Sequence, residues 1–242
     1  MARKSSTRRR AARAAAGRQA ASGIGPIRSV LVAGATGLVG RELLAAWQQA
    51  TPRPTIHALA RRMPAAAGAD ANWLLVDYAA LPPLPPAQAA CCALGTTIKT
   101  AGSQAAFRAV DFDAVLAFAR AAHAAGVRRF AVVSALGADA QSRVFYNRVK
   151  GEMEQALATL GFDQLVIARP SLLAGDRAAL GQPARAGERL ALAATAPLRR
   201  LIPKAWRPIA AGSVARALVR ALQQRERGVR VLGSGELQEL GA

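Results

Sequence analysis

Short apolar runs alternate with longer stretches of helical period along most of this chain. Ser29–Ala33 (SVLVA) is a continuous apolar run of strand length. Residues 38–50 follow with apolar positions at helical spacing and predict a helix. Residues 55–60 and 72–76 predict the second and third strands. A loop enforced by Pro82, Pro83, Pro85 and Pro86 leads to a fourth strand over 88–94. Phe107, Val110, Val115 and Phe118 recur at helical spacing, which predicts one long helix over 105–125 closed by Gly126. A fifth strand over 127–134, a helix over 142–160 and a sixth strand over 164–168 follow, the last stopped at Arg169-Pro170. Beyond that the pattern loosens. It predicts helices over 183–201 and 213–224 and a short strand over 228–232. Strands alternating with helices predict an α/β fold with a doubly wound, mostly parallel sheet.

Residues 1–27 carry no apolar periodicity and read as a disordered basic tail. Residues 28–242 read as one domain, with 171–242 as a C-terminal segment on the substrate side. The chain has 242 residues and is 52% hydrophobic, enough to bury a sizeable core. Its formal charge is +19. Residues 1–28 hold eight basic residues and no acid, which leaves +11 on the remainder. Such a balance favours phosphates or other anionic partners, with a weak contact to nucleic acid or an anionic surface expected through the tail. Oligomeric state is not encoded in any visible pattern. Cys91 and Cys92 are adjacent, which argues against a disulfide framework, and no zinc-like spacing or other metal site is visible. No apolar stretch approaches the length of a membrane span. These features predict a cytoplasmic protein.

Gly34-Ala35-Thr36-Gly37-Leu38-Val39-Gly40 joins the first strand to the first helix. Glycines in such a turn permit a tight bend, close approach of backbone to a pyrophosphate, and close packing of helix on strand. The helix start then offers N–H groups and a positive dipole end. Gly34, Thr36, Gly37, Leu38, Val39 and Gly40 are therefore expected to cradle a dinucleotide. An acid at the end of the second strand would select NAD, but Ala60-Arg61-Arg62 stands there. Two guanidinium groups suit the 2′-phosphate of NADP, so NADP is expected over NAD. Asp77, after the third strand, either accepts from the adenine amino group or caps the next turn.

Tyr146 and Lys150 lie four apart, on one face of the predicted helix. An ammonium beside a phenol favours phenolate, and such a tyrosine can serve as acid for a carbonyl oxygen or base for an alcohol. Ser134 sits at the carboxyl end of the fifth strand, the edge where ligands bind in doubly wound folds, and could polarise the same carbonyl.

These motifs resemble the short-chain dehydrogenase/reductase superfamily. The order GATG-x-x-G, Leu94-Gly95-Thr96-Thr97, Val133-Ser134-Ala135-Leu136-Gly137-Ala138, Tyr146-x-x-x-Lys150-Gly151-Glu152 and Arg169-Pro170 is similar to its atypical branch, the Tat-interacting-protein-like oxidoreductases. The resemblance covers about residues 28–173. It implies a Rossmann fold binding NADP, with Tyr146 as proton donor and Lys150 contacting the nicotinamide ribose. It also places Gly95, Thr96 and Arg169 beside the cofactor. Two positions depart from the pattern. Some relatives carry a second serine where this chain has Ala135, and Asp111 stands where an asparagine is often found. The function implied is an NADP-dependent oxidoreductase acting on a small-molecule carbonyl or alcohol. The alternatives are a non-enzymatic NADPH-binding regulator and a sugar-nucleotide epimerase.

Overall fold

A computed structural model describes residues 25–65, 70–174, 206–224 and 226–242. Seven strands form one sheet in which every neighbouring pair is parallel. They are β1 (Ser29–Ala33), β2 (Thr55–Ala60), β3 (Asn72–Leu75), β4 (Ala89–Cys92), β5 (Arg129–Val133), β6 (Gln164–Arg169) and β9 (Gly228–Gly233). β7 (Leu173–Ala174) and β8 (Ile209–Ala210) make a separate two-stranded ladder. The order across the main sheet is β3-β2-β1-β4-β5-β6-β9. This is the doubly wound α/β architecture expected, and the order reverses between β1 and β4. Ligands bind at such a switch point, outside the carboxyl ends of the strands.

The central strands are mostly apolar because both faces of the sheet are covered there. Side chains alternate along a strand, so each strand feeds two cores. Val30 and Val32 of β1 pack with Leu43 and Trp47 of helix α1 (Leu38–Gln48). Val214, Leu218 and Leu222 of a later helix, Ala211–Gln223, close the same layer. Leu31 and Ala33 face the opposite layer with Phe118 and Phe130. Buried polar groups of the strands tie the late helix down. Gln164 Nε2 donates to the carbonyls of Ala221 and Gln224 at 2.8 and 2.9 Å, and Arg129 donates to Leu222 at 3.1 Å. These are carbonyls that a helix end leaves without an internal partner.

Several expectations need correction. The helix expected over 105–125 is interrupted. α2 (Ile98–Ala101) and α3 (Gln104–Arg108) precede a π-helical segment, Ala109–Ala114, and regular helix α4 (Val115–Ala124) resumes after it. Helix α5 spans Phe145–Ala158 and starts three residues later than expected. Naming Ala211–Gln223 as α6, a further helix α7 (Ser234–Leu240) ends the chain, which the sequence pattern did not suggest. The domain begins before residue 28. Ile27 is buried in the core, and the Gly25 carbonyl accepts a hydrogen bond from Arg129. The remaining tail, residues 1–24, and the helix expected over 183–201 lie outside the described residues.

Candidate active site

The glycine turn stands at the switch point. Gly34 has φ +74°, a left-handed conformation that disfavours a side chain, and an added Cβ would lie 2.5 Å from the Ala93 carbonyl oxygen. Gly37 N–H closes the turn on the Gly34 carbonyl at 2.9 Å. At Gly40 a Cβ would fall 2.0 Å from that same Gly34 oxygen, so only glycine lets α1 pack this close to its strand. Gly37 caps α1 without a side-chain hydrogen bond, and no acid occupies the first turn. The amides around Leu38 and Val39 thus open a helix end suited to an anion. Thr36 is exposed on the turn, and its carbonyl accepts from Arg41 Nε at 3.3 Å.

The β1–β2 register sets Ala33 opposite Leu59, which brings Ala60 level with the glycine turn. Arg61 and Arg62 follow immediately and are exposed. Asp77 uses Oδ1 to accept the Ala79 N–H at 2.9 Å, which caps the turn after β3.

Across the switch point the second group assembles. Tyr146 is half-buried on the first turn of α5, its ring 5.3 Å from that of buried Phe107. One turn on, Lys150 is buried, and its Nζ lies 2.7 Å from Asp111 Oδ1 in the π-helical segment. Asp111 Oδ2 accepts the Thr96 N–H at 2.8 Å. A Cβ on Gly95 would be 3.3 Å from Asp111 Oδ1 and 3.9 Å from Lys150 Nζ. Gly95, Thr96, Lys150 and Asp111 therefore meet in one place. Burial alone would push the Lys150 ammonium down. The Asp111 carboxylate, with Tyr146 adding to it, outweighs that and holds it above the ordinary lysine value.

Two expected residues are turned elsewhere. The Ser134 hydroxyl donates to Glu154 on α5. Arg169, at the end of β6, grips the same carboxylate through Nη2 at 2.5 Å and Nε at 3.1 Å. Both hold Glu154, which the sequence reading missed. Glu154 is one turn beyond Lys150, so it reads as one more charge on a helix. The network borders a cavity of about 340 Å³ lined by Asp139, Gly151, Gln155 and their neighbours. Cys91 and Cys92 are fully buried, and burial pushes both thiols up to about 12, which fits core packing. Cys91 Sγ receives the Trp47 indole N–H at 3.5 Å. Among the described residues no group of three or more His, Cys, Asp or Glu side chains could hold a metal. None of the described helices is long and apolar enough to cross a membrane.

The strand order and the glycine turn define a Rossmann-fold protein of the short-chain dehydrogenase/reductase type. No family model matches the chain. It is 36% identical over 171 residues to the protein HTATIP2 of Rattus norvegicus, covering 68% of this chain and 69% of that protein. It is 34% identical over 164 residues to the mitochondrial protein FMP52-1 of Scheffersomyces stipitis, covering 62% and 69%. The chain belongs to this family, the Tat-interacting-protein-like members of the atypical short-chain dehydrogenase/reductases. Among solved structures, MoeE5 with UDP-glucose and NAD superposes with a TM-score of 0.63 at 20% identity, covering 84% of this chain and 75% of MoeE5. The ADP-L-glycero-D-manno-heptose-6-epimerase of Helicobacter pylori gives 0.62 at 16% identity, covering 85% and 76%. At these identities the likeness is one of fold. The expectation of a cytoplasmic protein is overturned, because the FMP52 relatives are named mitochondrial.

Proposed function

We propose that this protein is an NADP-dependent oxidoreductase that interconverts a small-molecule carbonyl and alcohol. One observation carries the reading: Tyr146 and Lys150 share a face of α5 beside the Gly95–Thr96 turn, across the switch point from an uncapped glycine-turn helix. The residues fit the cofactor. Gly34, Gly37 and the first amides of α1 would hold its pyrophosphate, and Arg61 and Arg62 a 2′-phosphate. When bound, NADP supplies or accepts the hydride. Tyr146 then gives a proton to the carbonyl oxygen or takes one from the alcohol. Lys150 presents a buried cation to the ribose side and to the phenol.

Tyr146→Phe tests this with NADPH and a panel of carbonyl compounds. The variant keeps the ring on Phe107, so NADPH affinity should survive. Turnover should fall by about two to four orders of magnitude, the usual worth of a positioned acid–base group. Near-wild-type turnover in the variant would refute the assignment.

A second reading, an NADPH-binding regulator without turnover, is favoured by one feature. Ala135 offers no hydroxyl and Ser134 commits its own to Glu154. The absence of any turnover in wild type, with tight NADPH binding, would select that reading.

A further inference from the structure

Ile98, Val144, Leu172 and Trp206 are large apolar side chains left in water, with Val144 58% and Trp206 66% exposed. All four belong to segments at the carboxyl ends of β4, β5 and β6, on the Tyr146 side of the switch point. Ile98 begins α2, directly after the Gly95–Thr97 turn. Val144 is the N-cap of α5, two residues before Tyr146. Leu172 follows β6, and its carbonyl accepts the Ile209 N–H at 2.9 Å, which draws the segment carrying Trp206 alongside. The Ser171 hydroxyl ties the same two stretches by donating to the Arg207 carbonyl. The loop after β5 joins them. Leu136 N–H donates to the Pro170 carbonyl at 3.0 Å, and Asp139 N–H to the Asn147 carbonyl at 3.0 Å. Apolar side chains left exposed together at the mouth of a cleft mark a binding surface.

The polar side chains at the same strand ends already have partners inside the protein. Ser134 donates to Glu154, and Arg169 holds the same carboxylate. The Ser171 hydroxyl, besides its bond to Arg207, receives the Ser234 O–H at 2.9 Å. Ala135 offers only a methyl group. A substrate rich in hydroxyls would leave water and find no matching group at these positions, whereas an apolar one asks for none. Lys99 and Arg143 adjoin the rim but are exposed, where a cation stays hydrated and demands no counter-charge from the substrate. We infer that the substrate of this site is an apolar carbonyl compound, an aldehyde or ketone whose alkyl or aryl arm lies along Val144, Leu172 and Trp206, and not a sugar nucleotide. The inference rests on the oxidoreductase reading above for the carbonyl, and on the rim alone for the apolar arm.

Binding of straight-chain 1-alkanols from butanol to octanol, with and without NADP, tests the arm without turnover. Trp206 reports it. The chain has three tryptophans, of which Trp47 is fully buried, and Trp206→Phe removes the exposed one from the signal. Trp206 emission should move to shorter wavelength as the alkyl arm covers the ring. The dissociation constant should fall about two- to fourfold per added methylene. Val144→Asn and Leu172→Asn replace exposed side chains, and asparagine is accepted at a helix N-cap, so both variants should fold. Each should flatten the dependence on chain length. No binding, a dissociation constant indifferent to chain length, or the same dependence in wild type and both variants overturns the inference. NADPH oxidation by the matching aldehydes, butanal to octanal, tests the underlying reading separately. Alkanol binding that strengthens with chain length, without turnover of any aldehyde, removes the oxidoreductase reading and leaves the apolar site standing. Turnover that does not rise with chain length keeps that reading and overturns the inference.

Discussion

If the protein prefers NADPH as proposed, replacing Arg61 and Arg62 by alanine should leave it hardly distinguishing NADPH from NADH. Both arginines follow buried Ala60 directly, at the end of the strand that flanks the glycine turn. They stand where an adenosine ribose would lie if its pyrophosphate rests on α1. A charge-assisted hydrogen bond contributes about 1.5–3 kcal/mol when sheltered. Both side chains are exposed, where an ion pair contributes only about 0.2–1 kcal/mol, so together they should give roughly 1.4 kcal/mol, or tenfold. Nicotinamide fluorescence titrations of wild type and the double variant with both nucleotides measure it. The preference should shrink when salt rises from about 0.15 M to about 1 M, because the screening length falls from about 8 Å to about 3 Å. NADH affinity should stay nearly constant throughout. Equal binding of the two nucleotides by wild type would refute the 2′-phosphate argument. So would an equal loss of NADH and NADPH affinity in the variant, since that would make the arginines general supports of the turn.

Three further outcomes are expected. Gly40→Ala forces a methyl to within 2.0 Å of a backbone oxygen and should lower Tm by about 5–10 °C, whereas Gly233→Ala, whose Cβ meets nothing within 4 Å, should change it little; equal shifts would remove the close-packing argument. Cys91 and Cys92 should resist a thiol reagent at pH 8 in the native protein and react only in denaturant, because they are buried with thiols near 12; rapid native labelling would reveal local opening of β4. The raised Lys150 ammonium makes a stabilising contribution present in full below the unfolded lysine value of about 10.4 and lost as pH rises through the folded value. Urea titrations of wild type and Lys150→Met should therefore keep their gap up to about pH 10.4 and draw together only above it, and a gap that narrows already between about pH 8 and 10 would contradict the buried pairing.

The strands were legible because a parallel sheet covered on both faces needs uninterrupted apolar runs. SVLVA and TIHALA match β1 and β2 end to end. The glycine turn was legible because its demands are largely local: Gly34 takes a left-handed φ, and Gly40 meets the Gly34 carbonyl a few residues back. The π-helical segment was not, because a single wide turn barely alters an apolar period. What selects it is tertiary: Asp111 reaches Lys150 and Thr96 across two other elements. The Ser134–Glu154 contact was not legible, because a strand-end hydroxyl looks the same whether it faces a ligand or a carboxylate. Glu154, which turns it away, is read correctly only once Arg169 is seen on its other side. Ile27 was lost among the tail residues because one apolar side chain makes no period.

The pairing of the first helix with α6 has a consequence for the order in which this protein can fold. Trp47 and Leu43 of α1 are sealed by Val214 and Leu218 of α6, and the outer edge of β6 is closed by β9. A chain emerging from the ribosome therefore makes its glycine turn and six strands of the sheet early but keeps an apolar face and an open strand edge in water. Both stay uncovered until residues 211–233 have been made. Closure joins segments about 170 positions apart, from residue 43 to residue 214, which are slow contacts to form and leave a window for mispairing. Chaperone dependence and sensitivity to loss of the last strand should accordingly exceed what the stability of the finished domain would suggest.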